Sequence, residues 1–312
     1  MQSRFYFFAS YRYDTDIMNH DNRYIDLHIH SNYSDGAFSP AELVQRAKTE
    51  ELTTIAIADH DSVAGVTEGI TAGAAHGIEV IPAVELSVQF KTMQDVHLLG
   101  YGMNYTGTAF QEKLNSFRER REHRNREILD RVNALLIEEN RTAIPVENVL
   151  SYARDTIGRP HIARALLEKG YASNVEDAFR HYLVPCNVPK LYWPINDAID
   201  VIRALGGVTV LAHPTTITTD HHELRKVITE LTNMGLDGIE VFNNLVQPHN
   251  MEFLRRLADE QGLLVTGGSD FHGIEEGLEM GKGRGGLRFS SNLLPPLKSR
   301  IHQRHSPCSG VP

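Results

Sequence analysis

The chain has 312 residues, 41% hydrophobic and 23% charged, with a formal net charge of −9 and two cysteines. This suits a soluble globular protein with one large core or two domains. It argues against a broad basic face that coats nucleic acid, since such binding is mostly phosphate neutralisation, and against a disulfide framework.

Cys186 and Cys308 form no CxxC pair, and no apolar run reaches membrane-spanning length, so a reducing, cytoplasmic setting is expected. Residues 1–23 read as a leader, either disordered or, over residues 1–17, lying upstream of a true start at Met18. The first strand is Tyr24-Ile25-Asp26-Leu27-His28-Ile29-His30, in which apolar and polar residues alternate. Side chains two apart share a face. His28 and His30 therefore point the same way, and two adjacent imidazoles are half of a metal site.

Ser39-Pro40-Ala41-Glu42 combines an N-cap, proline at the first helical position and a capping-box glutamate, so a helix runs to about Glu51. A second strand, Thr53–Ala58, runs into Asp59-His60-Asp61, and Ser62 caps a helix that stops at Gly77. The third strand, from Glu79, delivers Glu85. Strand, helix, strand, helix, strand is a parallel α/β unit, whose polar strand-end residues gather at one mouth. Val96–Tyr101 follows too closely for a parallel crossover. An antiparallel hairpin is expected, with His97 at the start of its strand and near the same mouth.

Residues 107–195 carry helical spacing instead: Leu114, Phe117, Ile128, Val132 and Leu136. The charged run from Arg118 to Glu127 reads either as a solvated helix with internal ion pairs or as a helix laid across the mouth, offering arginines to phosphate. The strand rhythm resumes at Val208–Ala212, ending in His213. It continues through Gly238–Phe242 and Leu263–Thr266, the last ending in Asp270-Phe271-His272. That makes seven strands, enough for a small barrel. The division expected is a barrel over 24–106 and 196–293, a helical insertion over 107–195 and a mobile tail over 294–312.

The candidates that collect at the mouth are His28, His30, Asp35, His60, Glu85, His97, His213, Asp270 and His272. A strand-end histidine is more often a loop residue than a ligand. Here, however, nine such residues recur at matching topological positions. They are too many for one ion, so two or three divalent ions are expected. Mixed imidazole and carboxylate donors with almost no thiolate favour Mn²⁺, Zn²⁺ or Fe²⁺ over Ca²⁺. Clustered ions of this kind suit phosphoester hydrolysis, because they lower the pKa of a bound water to roughly 7 and steady the leaving oxygen.

The pieces Asp26-Leu27-His28-Ile29-His30-Ser31, Ser34-Asp35-Gly36, Asp59-His60-Asp61, Val84-Glu85-Leu86-Ser87, Val96-His97, Ala212-His213-Pro214 and Ser269-Asp270-Phe271-His272 resemble the PHP (polymerase and histidinol phosphatase) family. Within it, Arg124-Asn125 and Gly158-Arg159-Pro160-His161 are similar to the TrpH/YciV-type branch. The resemblance implies a distorted (β/α)7 barrel with a helical insertion and three divalent ions, Mn²⁺ foremost. It implies a first ion on His28, His30, Glu85 and Asp270, and a second, bridged by Glu85, on His97 and His213. Asp35, His60 and His272 would hold the third. Asp270, His60 and Glu85 would be the catalytic residues, with a water between the ions attacking phosphorus and Asp270 or a metal-bound water moving protons.

The branch's activities imply 5′→3′ trimming of short RNA, ribosomal RNA 5′ ends included, and dephosphorylation of 3′,5′-nucleotide bisphosphates. Arg124, Arg159 and His161 are the candidates for gripping a substrate phosphate. No membrane and no obligate protein partner are implied. The sequence departs from the branch in the run Cys186–Tyr192 and at Thr215, neither of them a ligand position. Two alternatives stay open: a small-metabolite phosphatase of the histidinol-phosphate type, and a metal-binding interaction module without turnover.

Overall fold

The computed structural model describes residues 23–152, 157–274, 277–283 and 286–306. The expected leader therefore lies outside the described residues except for Arg23. The order opens β1 (Tyr24–Ile29), α1 (Pro40–Thr49), β2 (Leu52–Ile57), α2 (Val66–His76) and β3 (Glu79–Phe90). The Ser39 box forms as expected: the Ser39 hydroxyl accepts from the Glu42 N–H, and the Glu42 carboxylate accepts from the Ser39 N–H. α2 begins later than expected. Gly65 precedes it, and Ser62 instead accepts from the Ala64 N–H within the loop.

β1, β2 and β3 pair in parallel. β3 and β4 (Met93–Tyr101) form the antiparallel hairpin, turning at Lys91 with φ 55°. This hairpin is longer than expected. His97 pairs with Ser87 and lies in mid-strand rather than at its start. β4 also pairs antiparallel with β6 (Val208–Leu211), after which β7 (Gly238–Asn243) and β8 (Leu264–Gly268) continue in parallel.

The sheet order is β8-β7-β6-β4-β3-β2-β1-β9, with β5 (Trp193–Pro194) paired to β3 and β9 (Phe289–Ser290) to β1. β5 and β9 escape sequence reading because two residues carry no alternation. The seam between β1 and the end of β8 is bridged by Asp270 N–H to His28 O at 2.8 Å and His30 N–H to Phe271 O at 2.9 Å. The result is a nearly closed, distorted (β/α)7 barrel. Gly268 is required at the seam, since a Cβ there would lie 2.4 Å from the His28 nitrogen.

The barrel core includes fully buried Ile25, Leu27, Leu86, Leu98 and Val210, and α7 (Ile195–Ala204), α8 (His221–Asn233) and α9 (Pro248–Gln261) pack into the same cluster. Burial of each such side chain contributes about 1.5–3 kcal/mol. The segment between β4 and β5 is helical: α3 (Thr108–Glu138), α4 (Val146–Leu150), α5 (Arg159–Glu168) and α6 (Val175–Ala178). It has its own cluster, centred on Ile128, Val132, Leu136, Ile162 and Leu166. α3 serves both cores, because Phe110 and Leu114 at its start belong to the barrel cluster.

The expected mobile tail is corrected over most of its length. Leu294–His305 form α10, with Leu294 and Leu297 buried against the barrel. Pro295 and Pro296 occupy the first turn, where a missing N–H costs nothing, so they start this helix rather than break it. Residues 307–312 lie outside the described set. No helix among the described residues is long and apolar enough to cross a membrane.

Candidate metal centre

Parallel strands deliver their C-terminal ends to one mouth, and the nine candidates meet there. Glu85 is the hub. Its Oε1 lies 3.0 Å from His97 Nδ1 and 3.2 Å from His213 Nε2. Its Oε2 lies 3.0 Å from His60 Nδ1, 3.3 Å from His30 Nε2 and 3.4 Å from His28 Nε2. Asp270 Oδ1 stands 3.1 Å from His30 Nε2 and 3.5 Å from His28 Nε2. Asp35 Oδ1 stands 3.5 Å from His272 Nε2, and Asp35 Oδ2 stands 3.8 Å from His60 Nε2.

Three groupings result: His28, His30, Glu85 and Asp270; His30, Asp35, His60 and His272; and His60, Glu85 and His97. His213 joins the last through Glu85 and through His97, whose Nδ1 is 3.3 Å away. His30 and His60 each sit in two groupings, a sharing the sequence does not reveal. Among the described residues, His76, His123, His181, His221 and His249 enter none of these groupings.

The donors fit divalent cations. Buried His30 Nδ1, Asp35 Oδ1, His60 Nδ1 and Glu85 Oε2 have no hydrogen-bond partner, and buried polar atoms ordinarily find one. Burial pushes the Glu85 carboxyl up, but the imidazoles of His60, His97 and His28 outweigh it and hold it well below the usual range. Asp270 and Asp35 behave alike. Burial holds His60 well below its ordinary value, which keeps the imidazole neutral and able to donate a lone pair. Burial also disfavours charge on His28, yet Glu240, Glu85 and Asp270 outweigh it and raise its pKa well above the ordinary value. So much converging negative charge calls for cations.

Four further acids hold the ring in shape, and the candidate set above omits them. Glu240 is fully buried in β7. Its Oε1 is 3.0 Å from His28 Nδ1, while its Oε2 accepts from the His213 N–H at 2.8 Å and from Asn243 Nδ2 at 3.1 Å. Asp26 accepts from the Ser269 and Gly281 N–H groups at 2.8 and 2.7 Å. Asp59 accepts from the Ser31 N–H and the Ser34 hydroxyl at 2.8 and 2.6 Å. Asp61 accepts from the Ser87 N–H at 2.9 Å. The available signal was an acid flanked by apolar strand residues, as in Gly238-Ile239-Glu240-Val241.

A cavity of about 290 Å³ opens above the ring. Asp35, His60 and His97 form one side; Arg121, Arg124, Arg159 and Lys190 face them from the helical segment. Arg121 reaches Asp35 at 3.3 Å. Arg124 donates from Nε to Val188 O, from Nη1 to Asn125 Oδ1 and from Nη2 to Asn187 Oδ1, at 2.7, 3.2 and 2.8 Å. Arg159 lies over the Phe179 ring. His161 does not line this cavity. Its Nδ1 accepts from the Gly158 N–H at 2.9 Å at the start of α5, and burial pushes its pKa down to about 4.

The PHP domain model matches residues 26–185. The chain is 34% identical over 262 residues to a 5′-3′ exoribonuclease of Haemophilus influenzae, covering 82% of this chain and 93% of that protein. It is 32% identical over 258 residues to a 3′,5′-nucleoside bisphosphate phosphatase of Chromobacterium violaceum, covering 81% and 88%. A solved amidohydrolase of Chromobacterium violaceum, with sulfate bound and no metal, superposes with a TM-score of 0.77 at 30% identity, covering 88% of this chain and 96% of that one. A Bifidobacterium adolescentis structure, put forward as a metal-dependent phosphoesterase, gives 0.78 at 27% identity, covering 90% and 97%. Motifs, barrel and relatives agree, and the chain belongs to the PHP-domain family.

Proposed function

We propose that this chain is a metal-dependent hydrolase of nucleotide phosphoesters. In this reading it is a 5′→3′ exoribonuclease on short RNA or ribosomal RNA 5′ ends, a 3′,5′-nucleotide bisphosphate phosphatase, or both. The observation that carries the reading is the cavity above the donor ring, with the ring members Asp35, His60 and His97 on one side and three arginines with a lysine on the other. A substrate spanning it carries one phosphate to the ring and a second to the guanidinium wall. The relatives named for RNA and for nucleoside bisphosphates support the same substrate class.

The nine residues assigned above would hold up to three divalent ions, Mn²⁺ foremost. Such ions lower the pKa of water to roughly 7 and polarise phosphoryl oxygens. The chain supplies the rest. Glu85, with imidazoles on both oxygens, sets the spacing of the ring. Asp270, whose side chain is 17% exposed where Asp35 is 7% and Glu85 is 1%, is the most exposed carboxylate of the ring and is assigned proton transfer. Arg124 uses three of its five N–H groups on protein oxygens, which fixes its plane and leaves two for a phosphate. Arg121, Arg159 and Lys190 complete the wall.

The test offers the purified protein with Mn²⁺ a 3′,5′-bisphosphate nucleotide, a 5′-phosphorylated RNA oligomer and histidinol phosphate. Release from either nucleotide substrate is expected. Release from histidinol phosphate alone would transfer the reading to a small-metabolite phosphatase, and none from any would leave a binding module. Asp270→Asn or His60→Ala is expected to lower turnover by about 100-fold or more. Full activity in either would remove that residue from the chemistry.

A further inference from the structure

The ring histidines differ in what holds the imidazole nitrogen turned away from the ring. His28 sets Nδ1 against the Glu240 carboxylate at 3.0 Å, and His272 sets Nδ1 against the Asp270 carbonyl at 2.9 Å. His213 meets a hydroxyl instead: its Nδ1 lies 3.1 Å from Thr216 Oγ1.

Thr216 closes a single 3-10 turn, Pro214–Thr216, just after β6. Its N–H donates to the His213 carbonyl at 3.0 Å, and its hydroxyl donates to the same oxygen at 3.0 Å. One residue thus holds His213 at three points. A hydroxyl that merely closes its own turn needs only the carbonyl contact, a common habit of serine and threonine. The contact with the imidazole is additional, and chemistry gives it a direction. A hydroxyl has one proton. With that proton on the His213 oxygen, Oγ1 offers Nδ1 only lone pairs, so Nδ1 carries the imidazole's proton. A neutral imidazole then has its free lone pair on Nε2. That is the nitrogen turned into the ring, 3.2 Å from Glu85 Oε1 and 3.3 Å from His97 Nδ1. Unlike fully buried Glu240, Thr216 is exposed, so its hydroxyl can be removed without opening the core.

Resting on the metal-centre reading above, we infer that Thr216 is a positioning residue for His213. It sets the tautomer and aim of that imidazole, and through them the retention of the one ion shared by His97, His213 and Glu85. Without the hydroxyl, the proton divides between the two nitrogens, and part of the population turns an N–H rather than a lone pair into the ring. The groupings built on Asp270 and on Asp35 do not include His213, so the loss falls on one ion.

The test titrates Mn²⁺ into the metal-stripped full chain and follows the free ion by electron paramagnetic resonance, in wild type, Thr216→Val and Thr216→Ser. Valine keeps the shape and removes the hydroxyl, whereas serine keeps the hydroxyl. In Thr216→Val one ion should bind about 10- to 100-fold more weakly, the range typical when a ligand's outer partner is lost, with the remaining ions unchanged. Thr216→Ser should return the curve to within a few-fold of wild type. Urea unfolding of the metal-stripped proteins should coincide. A lowered midpoint in Thr216→Val with an unchanged titration would make the hydroxyl a brace of its turn alone and overturn the inference. Equal weakening in Thr216→Ser, or equal weakening at every ion, would overturn it too, and each of these results leaves the proposed function standing. No Mn²⁺ bound by wild type would fell the metal-centre reading and this inference with it.

Discussion

Glu240 touches two ring members at once, through the imidazole of His28 and the backbone of His213. The first contact turns His28 Nε2 toward Glu85. The second steadies a residue whose φ of 27° is one that side-chain-bearing residues seldom adopt. Partners of this kind typically change metal affinity 10- to 100-fold when removed. Glu240→Ala should therefore weaken retention of divalent metal by about that factor, measured by elemental analysis after dialysis against graded chelator. Undiminished metal content would reduce Glu240 to packing. At this scale most of the ring positions were legible, since they end or follow apolar strands, although His97 sits in mid-strand. Glu240 was not, because a lone carboxyl inside a strand says nothing of which imidazole it faces. Arg121 was obscured by its neighbours: in a run with Arg118, Arg120 and Arg124, the sequence does not say which guanidinium turns toward Asp35.

Among the elements, α10 is the one the sequence misled about, because two prolines read as an ending rather than a beginning. Its position is fixed by charge as well as by apolar contact. Arg300 and Arg304 each donate to the buried Asp237 Oδ1 at 2.8 Å, while the Thr209 N–H donates to Asp237 Oδ2 at 3.1 Å. Replacing both arginines with methionine strands that carboxylate without a cation. Both arginines are partly exposed, so the loss should be roughly 2 kcal/mol rather than the larger figure for a fully buried pair. A shift of the urea midpoint at unchanged slope would report it, and no shift would mean that α10 rests on its apolar contacts alone. The β3–β4 hairpin shows the opposite case. Its direction was legible from loop length alone, whereas its extension past the mouth depends on pairing with β5, too short to see in a sequence.

For the molecule as a whole, the ring links distant parts of the chain, so cations should brace the entire fold. A ligand present at about 100 times its dissociation constant adds roughly 2.7 kcal/mol per site. Chelation should therefore lower the melting temperature by several degrees, and Mn²⁺ should restore it. An identical melting curve with and without chelator would mean that no ion occupies the ring in solution. The barrel was legible at this scale because strand and helix patterns alternate so regularly. How the helical segment seats itself was not: α3 divides its apolar positions between two cores, and periodicity does not say which core each serves.

The seam between β1 and β8 has one more consequence. His28 lies near the beginning of the chain and Asp270 near its end, yet they are hydrogen-bonded neighbours. A nascent polypeptide halted before Gly268 carries at most seven of the nine donors and an open sheet edge where the seam should be. Such a fragment lacks two ring donors and the seam that joins the first strand to the last, so a competent centre can form only once the chain has been extended past His272.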